Sequence, residues 1–131
     1  MTKKELTLKI LKELGYTPQE DNDGDVMVRY QMKNIFAIID KEDDKYMTLM
    51  LPQFCEIEEG KEMLALATCN KVTRELRLGK VYIDQTFKNI SANCEFFYTD
   101  EESLKQNIDQ SIHILGLVRR IYQNTKTEMA E

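Results

Sequence analysis

The only histidine in the chain, His113, follows Asp109 by one helical turn. At that spacing a carboxylate can orient an imidazole or share a metal ion with it. Zinc needs a third ligand, and the next turn holds Leu117. On a helical wheel both residues fall away from the apolar stripe of Leu104, Ile108, Ile112 and Leu115, which places the pair in solvent as an ordinary helix ion pair. The three cysteines, Cys55, Cys69 and Cys94, form no CxxC pair. As nucleophiles they would need His113 brought to them across the fold; otherwise they read as small, reduced apolar fillers.

Asp21, Asp23 and Asp25 imitate the first half of a calcium loop, yet the positions that should carry its glycine and its closing glutamate hold Val26 and Met32. A hairpin turn accounts for this Asp, Asn and Gly cluster. Gly79-Lys80 lacks the earlier glycine of a phosphate-binding loop, where Arg74 stands. No dinucleotide fingerprint occurs, and the remaining carboxylates are dispersed as solubilising charges. The sequence therefore predicts no catalytic residue, no metal site and no cofactor.

Acidic residues outnumber basic ones by 23 to 18, for a net charge of -5, which disfavours nucleic-acid binding. The nearest basic group, Lys71, Arg74, Arg77 and Lys80, sits at a helix end, where cations complement the helix dipole. No apolar run approaches the roughly 18 residues of a membrane span, and the opening segment lacks a secretion signal, so a cytoplasmic location is expected. The Asn89-Ile90-Ser91 sequon then meets no glycosyltransferase. At 131 residues, one domain covers the chain.

The elements that must position these groups are marked by caps and periodicity. Thr2-Lys3-Lys4-Glu5 is a capping box opening a helix over 3–14, ended by Gly15. Alternation at Val26, Val28, Tyr30 and Met32 predicts a strand with one buried face. Lys33-Asn34 is read as the reversal into Ile35–Ile39, a strand apolar on both faces and hence central. Tyr46–Leu51 follows as a strand, and Pro52 closes it. A second helix is predicted from about Glu58 to Leu76, with an apolar arc wide enough to be covered on two sides. Strands follow at Val81–Ile83 and Ile90–Tyr98. Thr99-Asp100-Glu101-Glu102 caps a long final helix, weakened only by Gly116 at a cost of about 1 kcal/mol relative to Ala. Residues 124–131 are polar and expected to fray.

This is an α+β pattern. Together with the stretch from Asn70 through Arg74, Gly79-Lys80-Val81-Tyr82 to Asp84, and the opening Ile10-Leu11-Lys12-Glu13-Leu14-Gly15-Tyr16, it resembles the YbjN-like bacterial sensory-transduction-regulator proteins. The resemblance implies a type III secretion chaperone-like fold: a curved antiparallel sheet of five to six strands flanked by three helices, in the order α-ββββ-α-ββ-α. It also implies a dimer and a regulatory or chaperone-like role without chemistry.

The function expected is a homodimeric module that binds a protein segment of unknown identity along a sheet face or edge. Met27, Tyr82 and Phe97 are the candidate partner-binding residues, and Leu64, Cys69 and Val72 the candidate dimer contacts. The alternative is a small-molecule-binding or enzymatic domain whose site is assembled from dispersed Tyr, Asn, carboxylate and His113 side chains.

Overall fold

The computed structural model describes residues 1–131. The first helix, α1 (Lys3–Glu13), leads into β1 (Gln19–Glu20), β2 (Val26–Tyr30), β3 (Lys33–Ile38) and β4 (Tyr46–Glu56). The second helix, α2 (Glu62–Glu75), is followed by β5 (Gly79–Ile83), β6 (Asn89–Phe97) and the last helix, α3 (Glu101–Ala130). The strands form one antiparallel sheet in the order β1-β2-β3-β4-β6-β5. The element order is the one expected, and β3 is an interior strand.

Sequence and geometry agree where the local signal is strong. Thr2 and Glu5 make the reciprocal capping bonds that open α1, and Gly15 takes the left-handed φ of 95° that ends it. The cap of α3 lies one residue later than expected: Asp100 Oδ1 accepts from the Ser103 amide at 2.8 Å, and Ser103 Oγ accepts from the Asp100 amide at 3.1 Å.

Four expectations are corrected. The β2–β3 reversal is at Gln31-Met32, both at positive φ (48° and 66°), the backbone of a tight hairpin usually made by Asn-Gly. Pro52 does not end β4, because the ladder shifts register between Leu51 and Cys55 and the Gln53 amide is taken up by Ser91 Oγ at 2.9 Å. The second helix starts at Glu62 and not near Glu58, since Gly60 takes a φ of 84° and the Lys61 amide bonds the Glu58 carbonyl at 3.0 Å as a turn. Beyond Gln123 the last helix continues through Ala130 where a frayed tail was expected. Buried Tyr122 and Thr125 keep that stretch against the body of the fold.

Cross-strand partners share a face of the sheet, so the register separates its two sides. Val26, Ala37, Leu49 and Cys94 form one row, with Val28 opposite Ile35 and Leu51, Ala92 and Val81 in line beside it. All are buried in one core with Ile10 and Leu11 of α1, Cys69 and Val72 of α2, and the Leu104, Ile108, Ile112, Leu115 stripe of α3. All three helices therefore contribute to the core of this one face.

Gly116 is where this packing is tightest. A Cβ there would lie 2.5 Å from Tyr30 Cε2. The Tyr30 ring has little freedom to retreat, being edge-on to Tyr16 at 6.0 Å and to His113 at 5.8 Å. Gly116→Ala gains about 1 kcal/mol of helix propensity and loses about 1–3 kcal/mol to overpacking, so a net destabilisation of about 1 kcal/mol is expected in urea unfolding. Unchanged or raised stability would show that Tyr30 gives way freely.

Candidate functional site

The chemical candidates are dispersed by the fold. His113 Nδ1 lies 2.8 Å from the Asp109 carbonyl and 3.5 Å from its carboxylate, and the side chains are 59% and 47% exposed, so the pair is a surface contact. Burial pushes the Cys69 and Cys94 thiols up to about 11, which keeps them protonated at neutral pH. Cys55 accepts from Gln123 Nε2 at 3.2 Å. Asp21 spends one oxygen on the amides of Asp23 and Asp25, and Asp25 accepts from the Ile39 amide, which makes the acidic cluster a self-satisfied turn. No three His, Cys, Asp or Glu side chains converge as a metal-binding group. No helix is long and apolar enough to cross a membrane.

The opposite face of the sheet is different. Its central row runs Met27, Phe36, Met50, Asn93 and Lys80 across five strands, and the next row carries Ile38, Thr48 and Glu95. Met27, Phe36, Ile38 and Met50 are half-buried and lie outside the core that the helices cover. At one end Phe97 is 78% exposed, its ring 5.0 Å from that of its cross-strand partner Tyr46.

A polar array frames this apolar strip. The Tyr82 hydroxyl donates to Asn93 Oδ1 at 2.8 Å, the Tyr46 hydroxyl donates to Glu95 Oε2 at 3.0 Å, and Lys80 Nζ pairs with Glu95 Oε1 at 2.5 Å. Partial burial pushes the Glu95 carboxyl up, but Lys80 and Tyr46 outweigh it and hold the group below its usual range. Lys80 is raised in turn, chiefly by its bond to Glu95.

The sheet edges are less open than its face. In β5 the outward-facing amide and carbonyl of Val81 both bond to Thr73 Oγ1, at 2.9 and 3.0 Å, so a side chain of α2 occupies the place of a further strand. At the other edge β1 has only two residues.

Of the residues singled out for partner binding, Met27, Tyr82 and Phe97 all lie on this face. Of the proposed dimer contacts, Cys69 and Val72 are core residues, 4% and 1% exposed, and cannot present side chains to a second molecule; Leu64 is half-buried. The exposed apolar side of α2 is instead Met63 and Leu66, at 78% and 53%, with Ala67 beside them. Phe36, Ile38 and Met50 complete the strip without being among the residues the sequence marks for partner binding. The signal for the first two was present, since a strand apolar on both faces has two faces to place.

With this geometry in view, residues 5–112 match the model of the YbjN family, described as "Putative bacterial sensory transduction regulator". The chain belongs to the YbjN family. Its fold is similar to the crystal structure of YbjN, described as "a putative transcription regulator from E. coli". The TM-score is 0.67 at 10% identity, over 95% of this chain and 92% of that one. An uncharacterised protein from Methanothermobacter thermautotrophicus aligns over 92% of this chain and 96% of its own, with a TM-score of 0.49 and 16% identity. No curated protein matches the chain. Membership places the protein among regulator-like proteins, and the likeness to YbjN establishes the shared α+β architecture.

The array around Glu95 has a pH consequence. A carboxyl whose folded-state pKa lies below its usual 4.5 contributes stability above that value and loses it as pH falls through the lower one. Glu95→Gln should therefore flatten the acid limb of the stability curve just below pH 4.5, removing a contribution of about 1 kcal/mol or less at neutral pH. Parallel pH profiles for the two proteins would contradict the assignment.

Proposed function

We propose that this chain is a non-catalytic regulatory module that recognises another protein across the uncovered face of its sheet, acting as a homodimer through α2. The observation that carries the reading is the strip of Met27, Phe36, Ile38 and Met50, four large apolar side chains left without a covering layer in a molecule that covers the other face with three helices. Solvent-facing sheets ordinarily alternate apolar-in with polar-out, and a continuous apolar strip outside marks an interaction surface. The methionines suit it, because an unbranched thioether re-packs against varied side chains. Tyr82, Asn93, Lys80 and Glu95 supply the polar rim that orients a partner.

The dimer rests on Met63, Leu66 and Ala67. Two copies of α2 packed antiparallel about a two-fold axis would bring the apolar residues together. The same arrangement sets Glu59 and Glu62 near the start of one helix beside Arg74 and Arg77 near the end of the other. The interface is then self-complementary in charge as well as apolar.

The two surfaces are separable by experiment. Sedimentation equilibrium should give a dimer for the native protein and a monomer for the double variant Met63→Asp, Leu66→Asp, with unchanged circular dichroism. A photo-crosslinker at Met27 in the native cell should capture a partner, and Met50→Ser should weaken that capture at least about fivefold while leaving the dimer intact. A native protein that stays monomeric at high micromolar concentration removes the dimer. Capture indifferent to Met50→Ser removes the docking face.

A further inference from the structure

Charge is unevenly spread over this acidic molecule. Every ion pair in it uses a lysine or the histidine, and no arginine meets a carboxylate. Two of the arginines, Arg119 and Arg120, lie together on the exposed side of α3, next to Lys33 at the tip of the β2–β3 hairpin. The three line a depression of about 480 Å³ whose other polar walls are the amides Gln31 and Gln123. Lys33 and Arg119 also line a second depression, about 330 Å³, which is walled by Phe36, Pro52, Phe54 and the nearly fully exposed Met32.

Neither depression contains a carboxylate. The other main depressions each hold at least one: Glu56 and Glu58 beside α2, Glu59 and Glu62 around Phe87, and Asp84 beside Tyr82. In a chain of net charge -5, the two of these depressions that gather cations without a carboxylate thus border the apolar strip. Arg29 extends it along β2, its guanidinium held by Asn34 Oδ1 at 3.2 Å.

We infer that the corner where the β2–β3 hairpin meets α3 is a carboxylate-binding subsite, and that the segment docking on the sheet is acidic and amphipathic. The inference rests on the reading of the uncovered face as a protein-docking surface and adds the chemistry of what docks. An acidic side chain is met by the Lys33 ammonium and by Arg119 and Arg120, whose guanidinium forks suit a carboxylate. Its apolar neighbour drops into the hollow over Phe36, Pro52 and Phe54. Lys33 and Arg119 stand between the two hollows and set the register. Four cations on a molecule of net negative charge are too short a track for a nucleic-acid backbone, and the apolar half of the site has no counterpart in a phosphate strand.

The test is fluorescence anisotropy with the full chain and three labelled probes: a peptide alternating Glu and Leu, its Gln–Leu counterpart, and oligothymidylate. The Glu–Leu peptide should bind more tightly than Gln–Leu by about tenfold or more, and its affinity should fall as salt rises. Arg119→Glu with Arg120→Glu should cost the Glu–Leu peptide about tenfold or more and leave Gln–Leu unchanged, while Phe36→Ser should weaken both peptides. The arginines are exposed, so the charge-reversed protein should fold, and Arg119→Gln provides a milder second variant. Equal affinity for the two peptides, or charge reversal without effect while Phe36→Ser still weakens binding, overturns the carboxylate subsite and leaves the docking face standing. Indifference to Phe36→Ser as well overturns both. Preference for oligothymidylate, or a change of oligomeric state on charge reversal, assigns the corner to a nucleic acid or a second copy and overturns the inference.

Discussion

The contact between the inner face of the sheet and α3 is the constraint on which the other features depend. A helix of 30 residues is about 45 Å long, enough to cross the sheet and continue to the start of α2. Leu104, Ile108, Ile112, Leu115 and Val118 are all fully buried, each contributing about 1.5–3 kcal/mol relative to exposure. Once that stripe lies on Val26, Ala37, Leu49 and Cys94, alternate residues of every strand are committed to the opposite side. The half-exposure of Met27, Phe36, Ile38 and Met50 is therefore a consequence of the core register. Sliding any one strand by a residue would exchange the two sets and destroy the core. The apolar face is therefore held in place by the same register that builds the core.

Legibility in the sequence followed how local each cause is. The cap of α1, the glycine that ends it, the start of α3 to within one residue, and the alternation of β2 and β6 depend on causes that act within a few residues and could be read directly. The errors came where a distant group supplies what the local sequence lacks. Gln31-Met32 carries none of the residues that favour a positive-φ turn, and two non-glycine residues there cost roughly 1–2 kcal/mol each; pairing of β2 with β3 must supply that energy. Pro52 removes a ladder donor, but Ser91, far along the chain, accepts the next amide and lets β4 go on. The polar composition after Gln123 hid the fact that Thr125 is buried. The breadth of the α2 apolar arc was visible, but not its division: Ala65, Cys69 and Val72 turn inward, Met63 and Leu66 outward. The basic corner was illegible for a similar reason, since Lys33 and Arg119 are far apart in sequence and meet only when α3 crosses the hairpin.

Gly116 joins these two themes. In the sequence it looks like a weak point of a long helix, and in the fold it is where the helix comes close enough for Tyr30 to lie against its backbone. Tyr30 also touches Tyr16 after α1 and His113 on α3, so one ring draws together the exit of the first helix, the hairpin and the last helix. The single histidine thus serves packing at the helix surface. The same close approach seats the hairpin tip beside Arg119 and Arg120, so a contact made for stability also assembles the cationic corner.

An open sheet offers a partner two kinds of surface, its edges and its faces, and this molecule treats them differently. Edge pairing needs a run of free amides and carbonyls. In β5 the middle residue of that run, Val81, has both groups bound by the Thr73 hydroxyl, whose one proton and lone pairs satisfy donor and acceptor together. Displacing it would break both of these hydrogen bonds and shift α2, whose Val72 lies in the core immediately beside it. At the far edge β1 is too short to register a strand, and Lys4 beside it pairs with Glu20. Recognition by strand addition is thus blocked at one end and poorly templated at the other. The face has no such guard: its side chains are apolar at the centre, hydrogen-bonded at one margin and cationic at the other. A segment laid across it would meet pockets and charges in a set order, and specificity would come from its side chains more than from its backbone.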